Sequence, residues 1–180
     1  MTTRVLVTGG VRSGKSHHAE SLVSEMNAAH VTYVAPGPTP DAESDPDWTD
    51  RVQRHRDRRP RHWTTRESAD LASAVRESSG PVLVDCLGTW VTSLVDAAGL
   101  WDAPYAEVLG EIDRKVEGLL EALGAAPSPV VFVTNEVGLG VIPSHRSGRL
   151  FRDLLGTVNR RVAEHCDEVH LVVAGRVLVL

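Results

Sequence analysis

One stretch constrains this chain more than any other: Arg4 to Ser16, RVLVTGGVRSGKS, where an apolar run passes straight into two glycines and ends on Gly-Lys-Ser. Gly9, Gly10, Val11, Arg12, Ser13, Gly14, Lys15 and Ser16 fit G-x-x-x-x-G-K-[ST], the phosphate-binding loop. Glycines let such a loop curl until backbone N–H groups point inward at phosphate oxygens. Lys15 brings a point charge to the β and γ phosphates, and Ser16 offers its hydroxyl to Mg²⁺. A helix starting at the end of the loop sets its positive dipole end under the anion. The flanks agree. Val5 to Thr8 reads as a buried strand, and Ala19, Leu22, Val23 and Met26 give helical spacing over Ser16 to Met26.

The β-branched run Val31 to Ala35 then closes a strand, loop, helix, strand unit of the βαβ kind. Pro36 to Asp47 holds four prolines and four acids and reads as a loop leaving the carboxyl end of the second strand, the edge where open parallel sheets bind ligands. Trp48 to Arg59 is a basic segment with Arg51, Arg54, Arg56, Arg58 and Arg59 around His55, stopped by Pro60. As a helix it puts Arg51, His55 and Arg58 or Arg59 on one face. A short helix is expected over Glu67 to Arg76, a strand over Val82 to Asp85, and a helix through Leu87, Trp90, Val91, Leu94 and Val95. Tyr105 to Leu123 carries the longest apolar stripe, running from Tyr105 through Val108, Ile112 and Val116 to Leu123. Val130 to Thr134 is a further buried strand with Asn135 and Glu136 at its carboxyl end. A glycine-rich loop, Gly138 to Pro143, leads to a helix through Leu150, Leu154, Leu155, Val158 and Val162, and strands Glu168 to Ala174 and Arg176 to Leu180 close the chain. The expectation is a single α/β domain over 1–180: a P-loop NTPase-like, mostly parallel sheet with helices on both faces and a C-terminal strand pair.

Composition matters here mainly for what it excludes. A formal charge of −5 over 180 residues argues against a nucleic-acid binder, so an anion site must be local. Cys86 and Cys166 are far apart and lack metal-ligand spacing, which indicates a reduced interior. No apolar run reaches the roughly 18 residues of a membrane span. With strand and phosphate loop standing directly at the N-terminus, the expected setting is the cytoplasm.

A phosphate loop needs an acid at the end of a neighbouring strand to hold Mg²⁺ through its water shell. Asp85 is the first candidate and Glu136 the rival; Asp85 also suits a helix N-cap. Of the eight histidines, seven read as solvated or internally satisfied. His55 differs because clustered arginines favour its neutral form and gather polyphosphate, and a neutral imidazole is a competent nucleophile toward phosphorus. The bland alternative is a solvated basic helix.

GGVRSGKS followed by HAE, then RVQRHRDRRP, VDCLGTWVTSL, TNEVGLGVIP and FRDLLGTVN resemble, in order and spacing and over essentially the whole chain, the bifunctional adenosylcobinamide kinase / adenosylcobinamide-phosphate guanylyltransferase family of cobalamin biosynthesis. The resemblance implies phosphorylation of the aminopropanol hydroxyl of adenosylcobinamide by ATP or GTP. Transfer of GMP from GTP onto that phosphate then follows, through a guanylylated histidine. By the H-x-x-R-x-P pattern that histidine is His55, standing before Arg58 and Pro60; Arg54 occupies the place where some relatives have a second histidine. The resemblance further implies that Gly9 to Ser16, Arg56, Asp57, Arg58, Arg59, Glu67 and Asp85 form the nucleotide site, with Ser16 and Asp85 at the Mg²⁺ and Lys15 catalytic beside His55. Pro36, Gly37 and Pro38 stand where relatives often have hydroxyl or amide residues, so backbone contact is expected there. For His55 to reach a phosphate over the loop, the basic helix is expected to move, on its Pro-rich tether, or to meet a neighbouring subunit. A homo-oligomer, specifically a trimer, is implied as well. The competing readings are a small-molecule P-loop kinase without nucleotidyl transfer and a GTP-binding regulatory module.

Overall fold

The computed structural model describes residues 3–39 and 45–180. Its seven strands are β1 (Arg4–Gly9), β2 (Thr32–Ala35), β3 (Thr64–Glu67), β4 (Val82–Asp85), β5 (Val130–Val133), β6 (Glu168–Val173) and β7 (Arg176–Val179). They form one sheet in the order β3-β2-β4-β5-β1-β6-β7, parallel throughout except for the terminal β6–β7 pair. The α/β expectation, including the C-terminal strand pair, is met.

Alternation along the strands sorts the core into two layers, because successive side chains leave a strand on opposite faces. Val5, Val7, Leu83, Val131 and Val133 face α1 (Lys15–Glu25) and pack with its Ala19 and Val23. Leu6, Val82, Val84, Val130 and Phe132 face the other way, toward α3 (Leu71–Arg76), α4 (Leu87–Ala98), α5 (Tyr105–Gly124) and α6 (Arg146–Ala163). The stripes on α5 and α6 are buried as their spacing requires, with one exception: Tyr105, at the first turn of α5, is exposed.

The differences from expectation lie on one side of the sheet. Glu67 does not open a helix; it ends β3, and the helix begins at Leu71 behind an Asp70 cap. Strand β3 reads TTRE, an edge segment paired only to β2 and mostly exposed, so it carries no apolar alternation to announce it. The loop expected over Pro36 to Asp47 is shorter at its far end. Pro46 and Asp47 already belong to α2 (Pro46–Arg58), with the Asp45 side chain accepting from the Trp48 N–H at 2.9 Å. Residues 40–44 of that loop lie outside the described residues.

The strand order places the chemistry. β1 lies between β5 and β6, and β5 separates β1 from β4. The carboxyl ends of β1, β5, β4 and β2 therefore share one edge of the sheet, with the phosphate loop one strand removed from Asp85. Among the described residues no helix is long and apolar enough to cross a membrane.

Asp70 accepts from both the backbone N–H and the hydroxyl of Ser73, at 3.0 and 2.8 Å, which holds its carboxyl below the usual carboxylate range. A depressed folded-state value contributes stability above the unfolded-state value and loses it as pH falls through the folded one. Asp70→Ala should therefore lower the unfolding free energy by about 1 kcal/mol at neutral pH. In denaturant titrations the gap from the parent should shrink in acid.

Candidate active site

The sharp turn after β1 is set by backbone requirements. Gly14 sits at φ 98 and Arg12 at φ 56, both left-handed, and Lys15 opens α1 immediately afterwards. A Cβ on Gly9 would lie 2.4 Å from the Val172 carbonyl oxygen and 2.7 Å from Ser13 Oγ. The β6–β7 turn supports the loop from outside, with the Gly175 N–H donating to Ser13 O at 2.9 Å. Lys15 is buried, its ammonium donating to the Gly10 carbonyl at 3.3 Å. Ser13 Oγ is buried with no hydrogen-bond partner. Val11 to Ser16, with His17, line a cavity completed by Arg54, His55 and Arg58 from α2.

The wall supplied by α2 is held by polar contacts. Arg59 stacks over the Tyr33 ring at 3.7 Å, and donates to its own helix at His55 O (2.9 Å) and to Thr65 Oγ1 on β3 (3.0 Å). Arg58 pairs with Glu20 of α1 at 3.0 Å, and Arg56 with Glu67 at the end of β3. A second cavity opens behind this wall, lined by Tyr33, Gly37, Pro38, Trp48, Arg56, Arg59, Glu67, Asp85, Cys86 and Thr89, and again by His55. His55 thus borders both cavities, within a single chain and with no displacement of α2.

Asp85 is not the helix cap, because the N-cap of α4 is Cys86. Its buried carboxylate instead gathers three elements. The Tyr33 hydroxyl donates to Oδ2 at 3.1 Å, His55 Nδ1 lies 3.6 Å from the same oxygen, and Ser16 stands beside the carboxylate. Burial pushes this carboxyl up, but the bonds from His55, Ser16 and Tyr33 outweigh it and hold it below its ordinary value. Burial, then the Asp85 charge, push the Tyr33 phenol well up, so it stays a donor. Arg58 Nη2 also approaches His55 Nδ1, at 3.4 Å. The two contacts demand opposite protonation of one atom: Nδ1 either accepts from Arg58 or turns its own proton to Asp85. Neither involves Nε2.

The remaining candidates divide. Gly37 and Pro38 line the second cavity, Gly37 so closely that a Cβ would meet Thr89 and Trp48 at 3.2 Å. Pro36 is drawn away, its carbonyl accepting from Ser93 Oγ at 2.8 Å. Asp57 lies on the outer side of α2, bonded to Gln53 at 2.7 Å, and lines neither cavity. Glu136 follows β5, next door to the loop; its N–H donates to Gly9 O at 3.1 Å, and its carboxylate accepts from the Gly138 N–H. His18 and His170 are satisfied by each other at 2.8 Å, and His170 by Glu168 at 2.7 Å. Sequence reasoning missed Tyr33, Glu20, Thr65 and Trp48. Only the hydroxyl of Tyr33 in an otherwise apolar strand gave a signal.

A strand, phosphate loop and helix on a mostly parallel sheet define a P-loop-like α/β protein. Comparison with known proteins narrows the class. Residues 5–180 match the family model described as cobinamide kinase / cobinamide phosphate guanyltransferase. The bifunctional adenosylcobalamin biosynthesis protein CobU of Salmonella typhimurium is 42% identical, over 95% of this chain and 96% of that protein. The protein of the same name from Escherichia coli is 39% identical over 95% and 96%, and CobP of Pseudomonas aeruginosa 40% over 96% and 94%. The chain belongs to the cobinamide kinase / cobinamide phosphate guanyltransferase family.

Gly9→Ala tests the loop geometry. The obstructing atom is a backbone carbonyl, which cannot swing aside, so the loop must deform. GTP affinity should fall at least about tenfold, roughly 1.4 kcal/mol, in equilibrium binding while the far-UV spectrum is kept.

Proposed function

We infer that this chain carries out both reactions of its family's description at one nucleotide site: phosphorylation of adenosylcobinamide by ATP or GTP, then transfer of GMP from GTP to adenosylcobinamide phosphate. The observation that carries this reading is the position of His55 between the phosphate-loop cavity and the Tyr33–Trp48 cavity. In the first reaction the substrate hydroxyl oxygen attacks the γ-phosphorus, the bond to the β–γ bridging oxygen breaks, and the nucleoside diphosphate leaves. In the second, the His55 imidazole attacks the α-phosphorus of GTP, forming a P–N bond as pyrophosphate departs. A phosphate oxygen of adenosylcobinamide phosphate then attacks the same phosphorus and the P–N bond breaks, giving adenosylcobinamide-GDP and free His55.

Each residue has a task that follows from its contacts. Asp85, ionised despite burial, is the partner toward which Nδ1–H turns, which leaves the Nε2 lone pair for phosphorus. Arg58 is then released toward phosphate, where a guanidinium pairs better than with an imidazole. Lys15 and the loop N–H groups bear on the β and γ oxygens, where charge grows in both reactions. Gly37 and Pro38 offer backbone only, beside the Tyr33, Trp48 and Arg59 surface on which a base or ribose of the nucleotide rests.

The donor set fits Mg²⁺. The Ser16 hydroxyl and the Asp85 carboxylate stand beside one another, and among the described residues no group of three acidic, histidine or cysteine side chains competes for a metal. That is the sparse protein contribution of a magnesium site completed by phosphates and water. When bound, the ion neutralises charge on the triphosphate. A cytoplasmic setting and a homo-oligomer, a trimer by family resemblance, belong to the same proposal.

Labelling separates the roles. His55→Ala should abolish retention of α-labelled GMP on the protein while γ-phosphoryl transfer to cobinamide survives. In the parent the label should be acid-labile and alkali-stable, as a phosphoramidate is. Lys15→Met should depress both reactions by about a hundredfold or more. Label persisting on His55→Ala would sink the assignment.

A further inference from the structure

The segment joining β5 to α6, residues 134–145, is anchored at both ends and bare in the middle. At its start the Glu136 N–H is bonded to Gly9 O, the last residue of the strand that enters the phosphate loop. Asn159 Nδ2 of α6 donates to the Asn135 carbonyl at 3.0 Å, and Val137 packs on the core. The Glu136 carboxylate closes back on the Gly138 N–H at 2.5 Å. At its far end Arg149 donates to the carbonyls of Pro143 (3.1 Å) and Ser144 (2.6 Å), while Arg146 ties α6 to the carbonyls of Trp101 and Ala103. Between these anchors stand three apolar side chains among the most exposed in the protein: Leu139 at 90%, Val141 at 95% and Ile142 at 64%. Large apolar side chains grouped in water on a fixed frame mark a binding surface.

The occupant follows from the size of the acceptor and the place of the loop. Cobinamide is a broad macrocycle whose reacting hydroxyl sits at the end of one arm. Only that arm can enter a cavity shaped for a triphosphate, so the ring stays outside, at the rim, for both reactions. A rim that holds it needs apolar surface close to the phosphate loop, and Leu139, Val141 and Ile142 follow three to six residues after the Glu136 N–H bonded to Gly9. We propose that Leu139, Val141 and Ile142 form the acceptor subsite, packing on the corrin macrocycle of cobinamide and of its phosphate while the arm reaches past the loop to the nucleotide. This rests on the function inferred above.

The test is the triple variant Leu139→Ser, Val141→Ser, Ile142→Ser in the full chain, with Leu178→Ser, an apolar residue 57% exposed on β7, as control. The KM for cobinamide should rise about tenfold or more in the kinase step, and that for its phosphate likewise in the transfer. The KM for GTP and the α-label on the protein, neither of which needs an acceptor, should match the parent, and the control should leave every constant unchanged. An unaltered KM for cobinamide overturns the subsite and leaves the function reading intact. So does a change of oligomeric state in sedimentation that accompanies the rise, which would make the loop an interface between copies. A parent protein that neither phosphorylates cobinamide nor binds it in equilibrium dialysis overturns both.

Discussion

The site depends on keeping one buried carboxylate charged. Asp85 lies at the carboxyl end of a central strand, where burial alone would neutralise it. What keeps it ionised comes from three separate parts of the chain: Ser16 at the start of α1, Tyr33 on β2 and His55 on α2. Each donor needs the charge as much as the charge needs the donors. Tyr33 is buried and would otherwise have an unpaired hydroxyl, and it is also the floor on which Arg59 rests. The basic helix, the phosphate loop and the sheet are therefore coupled through this one group. Removing it would leave all three misaligned before any chemistry began.

Strand order explains why the coupling has room for substrate. If β4 lay directly against β1, Asp85 would crowd the loop. With β5 between them, the carboxylate stands one strand away, near enough for the Ser16 hydroxyl and far enough to leave space for phosphates. The end of β5 is then free for another use. Thr134 and Asn135 are fastened to Asn159 of α6, and the chain beyond carries the exposed Leu139, Val141 and Ile142. The acid, the nucleotide loop and the acceptor loop thus leave three neighbouring strands on one edge, in agreement with the rule for open parallel sheets.

How much of this was legible from the sequence depended on whether each feature was local. The phosphate loop declares itself because its glycines, lysine and serine act within a few residues, and the buried strands and helices declare themselves by period. Strand order does not, because the central strands here are short, largely apolar runs; VLVD and VVFV carry nothing that says which lies beside β1. TTRE was invisible as a strand because it is an edge held by backbone pairing and side-chain polar contacts, and Glu67 was consequently placed on the wrong element. His55 was singled out by its arginines and by family resemblance. Asp85, which its Nδ1 approaches, and Tyr33, which bonds the same carboxylate, are distant in sequence and come together only through the fold. The alternative role of Asp85 as a helix cap could be decided only by geometry, since Cys86 competes for that position one residue later.

The way α2 is attached bears on how one site serves two reactions. Unlike α1, α5 and α6, this helix contributes none of its described residues to either core cluster, and its ties to α1 and β3 are polar. Arg56 to Glu67 and Arg58 to Glu20 are partly exposed ion pairs, of a kind worth about 0 to 1 kcal/mol each. Carboxylates at these positions hold the arginines near the cavities without binding them tightly. A triphosphate offers more charge and pairs of oxygens that a guanidinium can grip bidentately, so guanidinium groups can exchange a carboxylate for a phosphate at little cost. The Arg59 stack on Tyr33 involves no carboxylate and survives that exchange, keeping the helix end in place. On the function inferred above, such an arrangement would let the arginines follow the phosphate under attack, γ in one reaction and α in the other, while His55 stays beside Asp85.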